Sequence, residues 1–489
     1  MIIDNDLVSM QQARILAEDA FAAQKKLALF SQERLDVIVE AVAAAVEGHA
    51  RELAVLSREE SGYGNWRDKW IKNQFVCSYV RKHLRGMRCV GFVGGDRDAG
   101  TLDIGVPLGV IAALCPVTSP VSTTIYKTLL AIKSGNAIIF SPHPGAAECM
   151  GKTLDIMIAA AHEHGLPEGC VSRLHTVTAS GTLELLRHPH VSLIMITGAP
   201  AMFEAARRTD KPVIYGGTGN GPAFVERSAD IGRAARDIIL SKTFDNGIAP
   251  SAEHAVVVEA CIEAEFKAAL AENGAYFMNE EEAARLAGLL FLPEGRRRKG
   301  VVGQTARYLA ERAGIAAPEG VTVLVADRRY VSDTDPYSRE LLAPVFPCFV
   351  EADWRDACEK CIELLLHIRN AHSLVIHSGD EEVVRQFALK KPVGRLLVNT
   401  PAALGGMGAT TGLFPAMTLG GGAAGYGITA DNVSPLNLIY IRKVGYGLRN
   451  LDGSARDIPG AQSGPSQRIR ALQQVLAQAV TIIDKSGDR

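Results

Sequence analysis

Apolar residues recur at helical spacing through the first sixty positions, and "QERLDVIVEAVAAAVEGHARELAVLSREE" carries the pattern most clearly. That period predicts helices over 7–60. From about residue 105 the period changes. Short, almost wholly apolar runs ("GVIAALCP", "NAIIFSPHP", "CVSRLHTV", "VSLIMITG", "KPVIYGGTGN") alternate with helical stretches such as "STTIYKTLLAIKSG" and "GAAECMGKTLDIMIAAAHEHG". Strands apolar on both faces, with helices between them, predict an α/β fold built on a parallel sheet. Ligands of such sheets bind at the carboxyl ends of the strands. The segments expected there, "CPVTSP", "SPHPG", "TGAPA" and "GGTGNGP", are rich in Gly, Pro, Ser and Thr. Free backbone N–H groups at the following helix N-termini suit a pyrophosphate, so 105–240 reads as a dinucleotide-binding unit.

A second α/β unit runs from about 241 to 420 through "VVGQTARYLAERAG", "VTVLVAD", "HSLVIHSG" and "VGRLLVNTP". The glycine run in "MTLGGGAAGYGITADN" is either a flexible loop or a place where backbone closely approaches a ligand. The expected units are 1–240, which carries the dinucleotide-binding unit, an α/β unit over 241–420, and 451–489 as a linker with a terminal helix. In the last, Ile469, Leu472, Leu476, Val480 and Ile483 share one face. That stripe fits a helix packed back on its own body, or one that docks a partner or shell protein.

Composition narrows the function classes. In 489 residues, 47% are hydrophobic and 22% charged, and the formal net charge is -2. Nucleic acid and anionic membrane surfaces need a basic face, so neither is an expected partner. No apolar run is long enough to span a membrane. The nine cysteines are scattered, as in a cytoplasmic enzyme with reduced thiols. Cys358 and Cys361 form a CxxC on a helical pattern with no second CxxC, so no metal site is expected.

Several motifs, in order, resemble the aldehyde dehydrogenase superfamily: "PLGVIAALCPVTSPVSTTIYKTLLAIKSGNAIIFSPHP", "ITGAPAMFEAA", "KPVIYGGTGNGPAFV", "ILSKTFDNG", "DPYSRELLAPV" and "LLVNTPAALGGMG". The match covers about residues 10–448 and is nearest the coenzyme A-acylating branch. It implies a Rossmann-type cofactor domain, a catalytic domain and an oligomerisation flap that takes in the segment before Gly105 and strands near Ile439–Val444, with 421–450 returning to the cofactor domain or the flap. It also implies NAD or NADP as cofactor, coenzyme A as co-substrate, an aldehyde or acyl-CoA substrate, and a homodimer or homotetramer. Some relatives of this kind work inside bacterial microcompartments, which makes that a second expected location beside the cytoplasm. Carried over by residue, Ser141, Pro142, His143 and Pro144 match the adenosine loop. Thr197 and Gly198 match the loop over the pyrophosphate or nicotinamide. Gly217 and Gly219 match the glycine loop before the catalytic site, and Glu340 matches a carboxylate for the nicotinamide ribose.

The same resemblance exposes departures. In "TFDNGIAPSAE" the slot of the family's nucleophilic cysteine holds Pro250, which has neither a thiol nor a backbone N–H. Ser119 stands where the family usually has an oxyanion-binding Asn, and Ala199 and Ala201 replace common glycines. The usual thioester route requires a thiolate. Ser251, His372, His254 and Cys115 are the remaining candidates for chemistry there, each with a structural reading beside it. Two functions stay open: an NAD(P)-dependent oxidoreductase with a non-standard site, or an inactive family member that binds nucleotide or supports assembly.

Overall fold

The structure, a computed structural model, describes residues 4–96, 98–368 and 372–450. The expected terminal helix at 451–489 therefore lies outside the described residues. The amino-terminal helices Asn5–Leu27, Gln32–Glu47 and Ala50–Ser61 form as the period predicts. Asp4 and Ser31 cap the first two by accepting backbone N–H bonds. Leu35, Ile38, Val42 and Val46 are buried against the helix Pro120–Lys133 and its neighbours.

Fifteen strands among the described residues form three sheets. In chain order they are β1 Gly91–Gly94, β2 Thr101–Pro107, β3 Val110–Leu114, β4 Ala137–Phe140, β5 Val171–Arg173, β6 Val191–Thr197, β7 Val213–Gly216 and β8 Pro222–Val225. There follow β9 Ala255–Glu259, β10 Ala275–Met278, β11 Val323–Asp327, β12 Val345–Glu351, β13 Ser373–His377, β14 Arg395–Val398 and β15 Ile439–Gly445. Five strands form a parallel sheet in the order β5-β4-β3-β6-β7. Seven form another parallel sheet, β10-β11-β12-β9-β8-β13-β14. Residues of β3, β4, β8 and β9 are buried throughout, as strands covered on both faces must be. The change of sheet falls between Gly216 and Pro222, ahead of the boundary expected at 240, because β8 inserts between β9 and β13.

The third sheet, β1-β2-β15, is antiparallel. Residues 439–445 thus return to pair with 101–107 in a separate flap. Tyr440 and Ile441 on its edge strand and Phe92 on β1 are exposed.

The glycine run after Met417 packs against its own backbone. Gly420 and Gly422 donate N–H bonds to the carbonyls of Asp431 and Thr429, both 2.9 Å. Buried Arg395 fastens this loop, donating to the carbonyls of Gly420 (2.9 Å), Ala430 (2.6 Å) and His372 (2.8 Å) and to the Asn432 amide oxygen (2.9 Å). The Arg395→Met variant leaves several buried acceptors unpaired, at about 1–3 kcal/mol each. We expect denaturant unfolding to show a loss of about 3 kcal/mol or more.

Candidate active site

A cavity of about 490 Å³ lies between the two parallel sheets. The five-stranded sheet contributes residues that follow its strands: Cys115–Ser119 after β3, His143 after β4, Thr197–Pro200 at the end of β6, and Gly216–Thr218 at the end of β7. The second sheet contributes residues that precede its strands: Ile248–Ser251 before β9, Glu340 and Leu342 before β12, and His372 before β13. The carboxyl ends of one sheet thus face the amino ends of the other. Reasoning from strand pattern alone covered only the first half of that arrangement.

Of the site residues expected from sequence, Ser119, His143, Thr197, Gly198, Gly217, Pro250, Ser251, Glu340 and His372 line this cavity. Ser141, Pro142, Pro144 and Gly219 are not among its lining residues. Ser141 is buried, with its hydroxyl 2.8 Å from that of Thr182. Pro144 opens a short turn over Pro144–Ala146. Gly219 acts through its backbone, whose N–H donates to Glu340 Oε1 at 2.8 Å. A Cβ at Gly219 would run into the Pro250 carbonyl oxygen, so only glycine allows these two segments to meet. Glu340 also accepts from Arg297 at 3.1 Å.

The polar groups around position 250 are specific. Ser251 donates weakly to the Ala403 carbonyl at 3.4 Å, and no base is among its hydrogen-bond partners. His372 Nδ1 lies 2.8 Å from Ser373 Oγ. Burial, and then the charge of Arg395, push its ring down to about 3, so it is neutral at physiological pH. His254 is buried with both ring nitrogens unpartnered, and burial, then Lys242 and Arg297, hold it well below its ordinary range. Cys115 lines the cavity, but burial raises its thiol pKa, with Lys127 only partly opposing this. A thiol held protonated is a poor nucleophile.

The main surprise sits behind Ser119. Lys72 lines the cavity, and its Nζ donates to Ser119 Oγ at 2.7 Å and to the Asp245 carboxylate. Lys69 donates to the Thr118 carbonyl at 2.7 Å and to Asp245 at 3.1 Å. Asp245 also accepts from the Asn65 backbone N–H at 2.8 Å. Burial opposes ionisation of Asp245, but Lys69 and Lys72 outweigh it and hold the carboxyl below its ordinary range. Burial drives Lys69 down to about 8, with Asp245 pulling the other way. The "FDNG" turn brings Asp245 here by placing Asp245 and Asn246 at φ 48 and 54. Asp and Asn are the non-glycine residues that tolerate this region best. Sequence reading missed both lysines because charged residues on a helix are ordinarily solvated. The available signal was their spacing of three on one helix face.

Beneath the Pro250 turn, Lys242 Nζ and Glu253 Oε2 are buried without hydrogen-bond partners. Burial lowers Lys242 to about 8 and raises Glu253 to about 7, with Ser241 and the Ala402 backbone N–H partly opposing the rise at Glu253.

Two parallel sheets facing each other across a glycine-lined cleft, with a carboxylate at its wall, define an α/β class whose candidate site lies between the sheets. The aldehyde dehydrogenase family model matches residues 2–280, and the chain belongs to that family. An aldehyde-alcohol dehydrogenase of Streptococcus pneumoniae is 36% identical over 417 residues, covering 83% of this chain and 47% of the relative. The chain therefore spans about half the length of such relatives. A probable aldehyde dehydrogenase from Listeria monocytogenes superposes with a TM-score of 0.90 at 44% identity, covering 92% of this chain and 99% of that one. An acetylating aldehyde dehydrogenase from Geobacillus thermoglucosidasius gives 0.89 at 38% identity, with the same coverages.

Two outcomes are expected. Lys72→Met strips Asp245 of one of its two counter-ions. Breaking a buried ion pair costs about 3–5 kcal/mol, and a lowered thermal midpoint is the readout. The second concerns Glu253. Its folded pKa lies above its unfolded value, so its stabilising contribution is full below about 4.5 and lost as pH rises to about 7. Glu253→Gln lacks that loss. Its stability relative to the parent should rise across this window and level off above it, as thermal melts from pH 4.5 to 8 will read.

Proposed function

We propose that this chain is an oxidoreductase that binds a nicotinamide dinucleotide between its parallel sheets and acts at the aldehyde oxidation level, with no thioester formed at position 250. The observation that carries the reading is the single cavity joining Thr197, Gly198, Gly217 and Glu340 to the Pro250 turn. The cleft suits a dinucleotide. Gly198 has φ +67, and a Cβ there would press on Pro116 at 3.0 Å. Glu340 keeps lone pairs for ribose hydroxyls beyond its bonds to Gly219 and Arg297.

When bound, the nicotinamide supplies a hydride acceptor. The residues of this chain orient and exclude. Pro250 fills the position of the family's nucleophilic cysteine and offers no thiol. An aldehyde already carrying water or the thiol of coenzyme A needs no enzyme nucleophile. Its C–H leaves as hydride, its O–H proton goes to solvent, and an acid or an acyl thioester results. Relatedness to an acetylating enzyme supports coenzyme A as the acyl acceptor. The exposed apolar edge of the flap at Tyr440 and Ile441 supports association of two or more copies.

Pro250 also favours a second reading, a nucleotide-binding member without turnover. The assay is NADH and NADPH fluorescence titration, followed by a broad aldehyde panel with and without coenzyme A. We expect dinucleotide binding, weakened at least fivefold in Glu340→Ala, and aldehyde-dependent reduction of NAD(P)+. Dinucleotide binding with no reduction under any condition leaves the second reading. Pro250→Cys should gain an acyl-enzyme adduct with an acyl-CoA, detected by intact-protein mass spectrometry.

A further inference from the structure

The CxxC on the helix Trp354–Ile368 takes no part in the cleft. Cys358 and Cys361 are both buried, and neither lines the cavity. Cys358 differs from the other cysteines in what touches its sulfur. Lys391, just beyond the helix Glu381–Lys390, places its Nζ 2.6 Å from Cys358 Sγ and 3.0 Å from the Cys358 carbonyl oxygen. Among the described residues, no other cysteine sulfur receives a hydrogen bond from a cationic side chain. Lys391 is buried and forms no ion pair with a carboxylate among the described residues, and nearby Glu351 and Glu363 pair with Lys360 instead. The Phe387 ring, with its centroid 4.1 Å from Nζ, holds the ammonium beside the sulfur.

A cation against a sulfur favours the thiolate, the form that oxidants attack. Burial pushes the Cys361 thiol up to about 12, so Cys361 stays protonated and is a poor partner for exchange. Its spacing is also unfavourable. Side chains three apart on a helix have Cβ atoms about 5–6 Å apart, whereas a disulfide needs roughly 3.5–4.5 Å. The Lys391 nitrogen is already in contact with the Cys358 sulfur.

We propose that Cys358 and Lys391 form an oxidative cross-linking site, at which hydrogen peroxide oxidises the sulfur and the lysine nitrogen captures it. The thiolate attacks peroxide. An S–O bond forms, the O–O bond breaks, and the departing hydroxide takes a proton from the Lys391 ammonium. The neutral amine then attacks the sulfenic acid. An S–N bond forms, the S–O bond breaks, and the leaving hydroxide takes a second proton from nitrogen. One thiol, one amine and one peroxide thus give a sulfenamide and two waters, with sulfur oxidised by two electrons and peroxide reduced by two. Peroxide is little larger than water, and Lys391 keeps 8% of its surface open to solvent. The bond closes a loop over 33 positions that contains β13 and cavity-lining His372. It ties the helix Trp354–Ile368, which packs on β8, β9 and β12, to the segment that enters β14.

The test is peptide mapping of the full-length protein by mass spectrometry, after hydrogen peroxide at a level that oxidises exposed Cys261 and alkylation of the remaining thiols. Trypsin cuts after Lys360, so Cys358 and Cys361 fall in separate peptides, 356–360 and 361–369, and Lys391 falls in 391–395. Peptides 356–360 and 391–395 should appear joined, about 2 Da below the sum of their masses, and dithiothreitol should separate them. Lys391→Arg keeps the positive charge, but a guanidinium does not give up its proton. In that variant Cys358 should stop at the sulfenic acid and be labelled by dimedone, with no join to 391–395. In the parent protein, Cys358 left reduced, or found joined to 361–369 and not to 391–395, overturns the proposal.

Discussion

One buried carboxylate ties together the three segments on which the site depends. Asp245 takes bonds from Asn65, Lys69 and Lys72, and the two lysines carry its influence to Thr118 and Ser119. These segments are the amino-terminal helical region, the loop that follows β3 of the first sheet, and the turn that precedes β9 of the second. Burying such charges costs several kcal/mol per ion unless they are closely paired and bonded. The arrangement therefore tolerates little displacement, and neighbouring backbone is shaped around it. Gly64 can carry no side chain, since a Cβ would run into the Asp245 carboxylate. Gly247, at φ +72, lies so near Ala343 that a Cβ would come within 2.6 Å of its carbonyl group. The ion cluster fixes where the Ser119 hydroxyl points.

Much of the fold was legible in the sequence because its main signals are local. Mostly apolar runs of four to seven residues between helical stretches report strands covered on both faces, and β3, β4, β6 and β9 are such runs. Strand order is not local. Nothing in "GPAFV" says that β8 leaves the first sheet to sit between β9 and β13. The glycine run at 420–427 was ambiguous for a related reason. Its closest partners are the backbone of residues 429–431 and the side chain of Arg395, and the arginine is brought there by the fold.

The site was legible where chemistry coincides with a motif and opaque where it depends on contact. Glu340, Thr197 and Pro250 lie in recognisable motifs and share one cavity. Lys69 and Lys72 lie on the short helix Trp66–Gln74, which buries them together with Asn73 while Trp70 and Ile71 are exposed. Only the fold shows that their side chains run inward to Asp245, 176 and 173 positions away.

Pro250 is held in the cavity wall through its backbone. The backbone there is gripped from outside: Gly219 packs against the Pro250 carbonyl, and the Gly219 N–H is held by Glu340. That chain of contacts links the carboxylate at the cavity wall to the turn without using the side chain or the N–H of residue 250. A change of side chain at this point therefore leaves those two contacts in place. Beneath the turn, Lys242, Glu253 and His254 stay buried with nitrogen or oxygen atoms unpartnered. Such groups are costly to keep. The wall at Glu340 and the turn at Pro250 are thus mechanically joined through Gly219, so a displacement of one is passed to the other.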